Sequence, residues 1–234
     1  NLKYPVISAK VNNVSQGLKF RVYQNRDVEF VDITDQSGMR VYIRSLCFVL
    51  YKAAQDVFPG SKLFVEHPLS GGYYCNFKKQ NGKGLEEGDI EKIKQRMQEV
   101  TAENMDFHRI EATTEDAIRI FRERGFQDKV KLLETSGQIY SDYYTLGDTA
   151  DYYYGCLVPS TGYLTLWDLI PYEKGMLLQI PDMRNPEKIA KFIPQPSAYD
   201  IFSENVKWNI IMRQSNVGDL NKQCIKGHAS ELIQ

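Results

Sequence analysis

Arg44-Ser45-Leu46-Cys47-Phe48-Val49-Leu50-Tyr51-Lys52-Ala53-Ala54-Gln55-Asp56-Val57 runs without a helix breaker until Phe58-Pro59-Gly60. Leu46, Cys47, Phe48, Val49, Leu50, Ala53, Ala54 and Val57 put apolar side chains on most faces of a helix, as in a central buried helix. Proline and glycine then stop it. Beyond the stop, Lys62-Leu63-Phe64-Val65-Glu66 and Gly72-Tyr73-Tyr74-Cys75-Asn76-Phe77 read as strands, with Pro68 and Gly71-Gly72 in the turn. Ile90, Ile93, Met97 and Val100 fall at spacings of three and four, which predicts an amphipathic helix. Helices and strands interleaved without strand–helix–strand regularity predict an α+β fold.

Outward from this centre, Val6–Val11, Leu18–Phe20 and Val28–Asp32 alternate as strands, and Asn12-Asn13 supplies a turn. Residues 1–35 are too few for a self-sufficient domain, so the sequence reads as a half-unit cut at Asn1. Phe107–Ile110 is a short strand leading to Thr113-Thr114-Glu115-Asp116, a helix N-cap with early acids. That helix ends at Arg124-Gly125, a basic last turn with a glycine behind it. Lys129–Leu133 is a further short helix, and Gln138–Ile180 is strands and turns rich in tyrosine. Pro181, Pro186, Pro194 and Pro196 mark a boundary before two helical stretches, Ile201–Gln214 and Asp219–Ile233. The last of these is still under way at Gln234, and a fragment of a longer protein is expected.

The chain has 234 residues, 42% of them hydrophobic and 25% charged, with a formal charge of −1. A sequence pI of about 6.4 gives no global electrostatic reason to expect nucleic acid or a membrane surface as partner. Cys47, Cys75, Cys156 and Cys224 form no C-x-x-C pair, which fits reduced thiols better than a disulfide framework. There is no signal peptide and no apolar run of about 18 residues, so the expected compartment is the cytoplasm.

No G-x-x-x-x-G-K-[ST], G-x-S-x-G or H-E-x-x-H motif occurs. Gly82-Lys83-Gly84, flanked by Lys78, Lys79 and Glu86, reads as a surface turn. His67, His108 and His228 are too scattered for a helical pair of metal ligands; His67 and His108 could meet in space, but a structural role is the favoured reading for these two. Tyr140, Tyr143, Tyr144, Tyr152, Tyr153 and Tyr154 admit two readings. One is a stacking platform for a base. The other, favoured because no Lys or Arg interleaves the tyrosines, is strands whose aromatic faces pack the core.

Residues 41–162 resemble the second additional domain of threonyl-tRNA synthetase, the module that edits mischarged tRNA. The blocks run in order. Phe58-Pro59-Gly60-Ser61-Lys62 stands for Trp-Pro-Asp-x-Lys, Gly72-Tyr73-Tyr74 for Gly-Phe-Tyr-Tyr, and Glu87–Arg96 for an acidic helix start. Asp128-Lys129-Val130 and Val158-Pro159-Ser160-Thr161-Gly162 follow. Residues 6–38 resemble the end of the preceding β-grasp (TGS) unit, through Val11-Asn12-Asn13 and Asp35-Gln36-Ser37-Gly38. The resemblance implies an antiparallel sheet around the buried helix over 39–180, a TGS-like remnant over 1–38, and a Pro-rich linker with helices over 181–234.

The resemblance also implies a lost metal site. The family's His-x-x-x-His falls on Arg44 and Phe48, and its Cys-x-x-x-His on Tyr153 and Leu157. Arg carries no lone pair for a metal, and Phe and Leu carry no ligand atom. No metal and no catalytic residue are therefore expected. Lys129 and Asp151 survive, to pair with each other or with Arg44. Arg44, Tyr74, Lys129, Asp151 and Tyr153 are the candidate vestigial pocket, with a small anionic or nucleoside-like effector as its expected ligand.

A second resemblance covers nearly the whole chain. Val41–Cys47, Asp128–Leu133, Tyr152–Gly155, Leu157–Tyr163 and Lys226–Ile233 are similar to the N-terminal region of bacterial nucleoside kinases of the uridine kinase type. It implies a non-catalytic accessory region whose partner is its own C-terminal kinase domain. ATP and Mg²⁺ would belong to that domain, and this stretch needs no cofactor. The alternative is an aminoacyl-tRNA editing or tRNA-binding module of synthetase type.

Overall fold

The computed structural model describes residues 2–212, 214 and 216–227. β1 (Ser8–Val11), β2 (Val14–Gln16) and β3 (Val28–Val31) form an antiparallel sheet in the order β2-β1-β3. Asn12 and Asn13 turn the chain with φ of 49° and 64°, a left-handed conformation that Asn tolerates. The expected strand at Leu18–Phe20 does not form. The two-residue asparagine turn brings Val14–Gln16 back against β1 first, because loop length fixes hairpin register.

α1 (Gln36–Val57) is the buried helix. Its N-cap is Asp35, whose Oδ1 accepts from Ser37 N at 2.7 Å and Ser37 Oγ at 2.6 Å, while Lys10 Nζ donates to Oδ2 at 2.8 Å. Gly38 is obligatory, since a Cβ there would overlap the carbonyl of Asp32. The Asp-x-x-Gly block is thus a helix start folded tightly on the strand before it. Met39, Leu46, Phe48 and Leu50 are fully buried.

β4 (Lys62–Leu69) and β5 (Gly72–Lys78) make a hairpin through Ser70-Gly71, both with positive φ. Pro68 lies inside β4 rather than in the turn. β4 is an edge strand, where a missing N–H is tolerated. On α2 (Asp89–Ala102) Ile90, Ile93, Met97 and Val100 are all buried, as their spacing predicts. β6 (His108–Thr113) leads into α3 (Thr114–Glu123), where Thr113 Oγ1 accepts from Asp116 N at 3.2 Å. α4 (Gln127–Glu134), β7 (Tyr140–Leu146), β8 (Thr149–Asp151), a single 3₁₀ turn (Thr161–Tyr163), β9 (Asp168–Tyr172) and β10 (Gly175–Gln179) follow. The larger sheet is antiparallel with order β4-β5-β10-β9, and β6-β7-β8 is a separate sheet.

α5 (Pro196–Ile211) begins earlier than the apolar pattern suggests, because Pro196 with its fixed φ serves as the first helical residue. α6 is Val217–Ile225, and the expected continuation over 228–233 lies outside the described residues. The three consecutive segments 1–38, 39–180 and 181–234 stand as a proposal about descent. Contacts gather the chain differently, into one unit of residues up to 108 with 146–149 and 153–195, and a second of 109–145, 150–152 and the described residues from 196. The second unit has its own core of Ala117, Phe121, Val130, Leu133, Tyr143 and Ala150. There α6 seats Gly218 against the backbone of Leu132, and Lys131 Nζ meets Asp219 Oδ1 at 2.6 Å.

Candidate functional site: Arg44, Phe48, Tyr153 and Leu157

Arg44 and Phe48 are four residues apart on α1 and so share one face. Facing them within the same unit is the irregular segment 153–158. Phe48 is fully buried, with its ring centroid 5.3 Å from that of Tyr153 and 5.8 Å from that of Phe107. Leu157 is buried as well. Arg44 Nη1 donates to the Tyr154 carbonyl at 2.7 Å and its Nε to the Arg40 carbonyl at 3.1 Å. Gly155, at φ 106°, is the residue that permits this, since a Cβ would overlap the Arg44 guanidinium.

The segment is tied to α1 along its length. Ser45 Oγ, itself buried, donates to the Val41 carbonyl at 2.7 Å and accepts from Val158 N at 2.9 Å. Further along, Thr161 Oγ1 donates to the Val100 carbonyl at 2.6 Å and accepts from Met105 N at 2.8 Å. Asn104 Oδ1 accepts from Ser160 Oγ at 2.6 Å and from Gly162 N at 3.2 Å. The Val-Pro-Ser-Thr-Gly block is therefore a latch onto the end of α2. At the four positions the space is filled by ring contact, aliphatic packing and a guanidinium–carbonyl bond. Phe, Leu and Arg supply no electron pair there.

The remaining candidates are placed as follows. Lys129 Nζ lies 3.3 Å from Asp151 Oδ1 in the second unit, and Asp151 Oδ1 also accepts from Tyr152 N at 2.7 Å. Of the two pairings left open by the sequence, Lys129 with Asp151 is thus observed. Tyr74 is buried on β5 between His67, 5.4 Å away by ring centroid, and Tyr172 at 6.3 Å. In the tyrosine run, Tyr143 and Tyr144 are buried on β7, whereas Tyr140 and Tyr154 are exposed. The core-packing reading holds for the first pair.

Sequence reasoning missed Ser45, Phe107 and Gly155. A glycine in the run of aromatics was the available signal for Gly155. Among the described residues no group of three or more His, Cys, Asp or Glu side chains could hold a metal ion. None of the four cysteines forms a disulfide, and burial pushes the Cys75 thiol well up, which makes it inert. Burial also acts to lower Lys52, but hydrogen bonds to Asp148 at 2.9 Å and Asp56 at 3.0 Å win and hold it above its usual value. Among the described residues no helix is long and apolar enough to cross a membrane.

These observations define a mixed α/β protein with antiparallel sheets, in which Phe48 and Leu157 are buried and Arg44 is bonded to the Tyr154 carbonyl. Its relatives are synthetases. The chain is 26% identical over 164 residues to the threonine–tRNA ligase of Marinobacter nauticus, covering 70% of this chain and 25% of that protein. It is 28% identical over 162 residues to the threonine–tRNA ligase of Desulforamulus reducens (68% and 25%) and 25% identical over 163 residues to that of Porphyromonas gingivalis (70% and 25%). The chain spans about a quarter of the length of the curated relatives it matches. No family model matches it. These relatives support the resemblance to the TGS and editing region, and they lend nothing to the uridine kinase resemblance.

Proposed function

We propose that this chain is a synthetase-type editing or tRNA-binding module that has lost hydrolysis and kept recognition. The observation that carries the reading is that the four positions matched to the family's ligands hold Arg44, Phe48, Tyr153 and Leu157, with the Phe48 and Tyr153 rings in contact, Leu157 buried and Arg44 bonded to the Tyr154 carbonyl. Ester hydrolysis needs an activated water, and no imidazole or thiolate stands at these positions to activate one or to hold a metal that would. Of the family's polar groups the Lys129–Asp151 pair survives, in the second unit, while Arg44 and Tyr153 bring a guanidinium and a phenol to the first. Cations and hydroxyls of this kind suit an acceptor-rich ligand, such as the end of an aminoacylated tRNA or a small nucleoside-like effector.

The test is a filter-binding and deacylation assay with mischarged tRNA, run with and without zinc. The reading expects saturable binding, weakened by Lys129→Ala, and no hydrolysis above the buffer rate. Zinc-dependent hydrolysis would overturn the metal-free site, and absence of binding would overturn the RNA partner.

The same loss of ligands favours a second reading, since a synthetase would give up its editing reaction with them. In that reading the chain is the accessory region of an ATP-dependent nucleoside kinase in the cytoplasm. Its partner is then its own C-terminal kinase domain, which would use ATP and Mg²⁺. Phosphorylation of uridine by the full-length gene product is the expected result, and its absence would end that reading.

A further inference from the structure

A second hollow lies in the first unit, away from the filled ligand positions. It is a cavity of about 490 Å³ between the N-terminal segment and the turn that follows the Val-Pro-Ser-Thr-Gly latch. Pro5, Ile33, Tyr42, Asn104, Tyr163 and Thr165 are among the residues that line it. The volume falls within the range of small-molecule sites. None of its lining residues is Asp, Glu, Lys, Arg or His. An ionised guest would give up water there and find no counter-charge.

The polar groups of the wall are already arranged. Tyr42 Oη donates to the Leu166 carbonyl at 3.0 Å and accepts from Leu166 N at 2.9 Å, so its hydroxyl braces the wall. Burial pushes its pKa up to about 12, and it stays a neutral phenol. The Oδ1 of Asn104 is taken by Ser160 and Gly162, which leaves the Nδ2 hydrogens as the donors this side chain can offer a guest. The Tyr163 ring with Pro5 and Ile33 supplies apolar surface for a flat ring, while Tyr42 is almost wholly covered.

We infer that this cavity binds an uncharged, ring-bearing small molecule with a carbonyl or ring-nitrogen acceptor for Asn104. The inference is independent of the tRNA and kinase readings, because no former ligand position lines the cavity.

Two matched pairs of probes test it on the 234-residue chain: nicotinamide against nicotinate, and adenosine against AMP. Amide-resolved NMR titration should show at least one neutral member binding saturably, with shifts centred on Ile33, Asn104 and Thr165. Its ionised counterpart should bind at least about tenfold more weakly. Thr165→Trp, which fills an exposed edge of the cavity, should weaken the neutral probe about tenfold or more. Tyr163→Leu, which keeps bulk and removes the ring, is a second variant should the first fail to fold. Equal binding of charged and neutral members, shifts elsewhere, indifference to the substitutions in a folded chain, or no binding of either neutral probe would each overturn the inference.

Discussion

The positions that the resemblance matches to metal ligands and the cavity beside Tyr42 use the same two elements, α1 and the 153–166 segment, yet one is filled and the other open. At the first, Phe48, Tyr153 and Leu157 occupy the space and Arg44 spans to the Tyr154 carbonyl. At the second, Tyr42 bonds to the backbone of Leu166 and the chain stands off. Removing a metal from an unchanged ligand set would strand polar groups in a buried place, at a cost of roughly 1–3 kcal/mol for each unmet group. Replacing the ligands with apolar side chains removes that cost. The open cavity carries no such burden, since the Tyr42 hydroxyl and the Asn104 carbonyl oxygen are bonded within the chain and Asn104 is exposed, so its amide hydrogens can reach water.

Phe48→Ala should have the largest effect on this contrast. It would reopen the filled site and lower stability by about 3–5 kcal/mol, read from chemical denaturation. A much smaller loss would mean that the site is not packed as described. Gly155→Ala comes next. A Cβ at φ 106° costs about 1–3 kcal/mol in backbone strain, and collision with Arg44 adds to it. Part of that loss should return in the double variant with Arg44→Ala, because the collision partner is then absent. Independent, additive effects of the two changes would break the proposed contact.

Ser45→Ala leaves the Val158 N–H without its acceptor on α1, for a loss of about 1–3 kcal/mol. Hydrogen exchange should then speed up at Val158 while the amides of α2 hold, and uniform acceleration would contradict a local tie. The smallest expected effect is at the helix start. Asp35→Ala should cost about 1 kcal/mol as a lost N-cap. Lys10 and Ser37 hold the Asp35 carboxyl at about 2, below the ordinary 3.8. A carboxylate depressed by folding stabilises the fold above its unfolded value. Its contribution is therefore present above about pH 4 and lost as pH falls through about 2. An acid titration of the Asp35→Ala chain should lack that share of the drop between pH 4 and 2.

Much of the fold was legible because its signals are local. The apolar run of α1, the three-and-four spacing of α2 and the asparagine turn after β1 each lie within a few residues. What failed depended on partners far along the chain. Leu18–Phe20 alternates like a strand, but the short turn gives the pairing edge to Val14–Gln16. Pro68 looks like a turn residue until β4 is known to be an edge. At the site, the family resemblance singled out Arg44, Phe48, Tyr153 and Leu157 as positions to inspect. How the hole was filled was not, because Arg44 reaches a carbonyl 110 positions away and Phe107 joins the ring cluster from a third segment.

Zinc calorimetry tests the central claim most directly, on the native chain and on a variant carrying Arg44→His, Phe48→His, Tyr153→Cys and Leu157→His together. The account predicts no zinc site in the native chain that is lost on Tyr153→Phe, and one zinc per chain in a folded fourfold variant. A stoichiometric zinc in the native chain that disappears on Tyr153→Phe would show that the site still holds metal and would contradict the account.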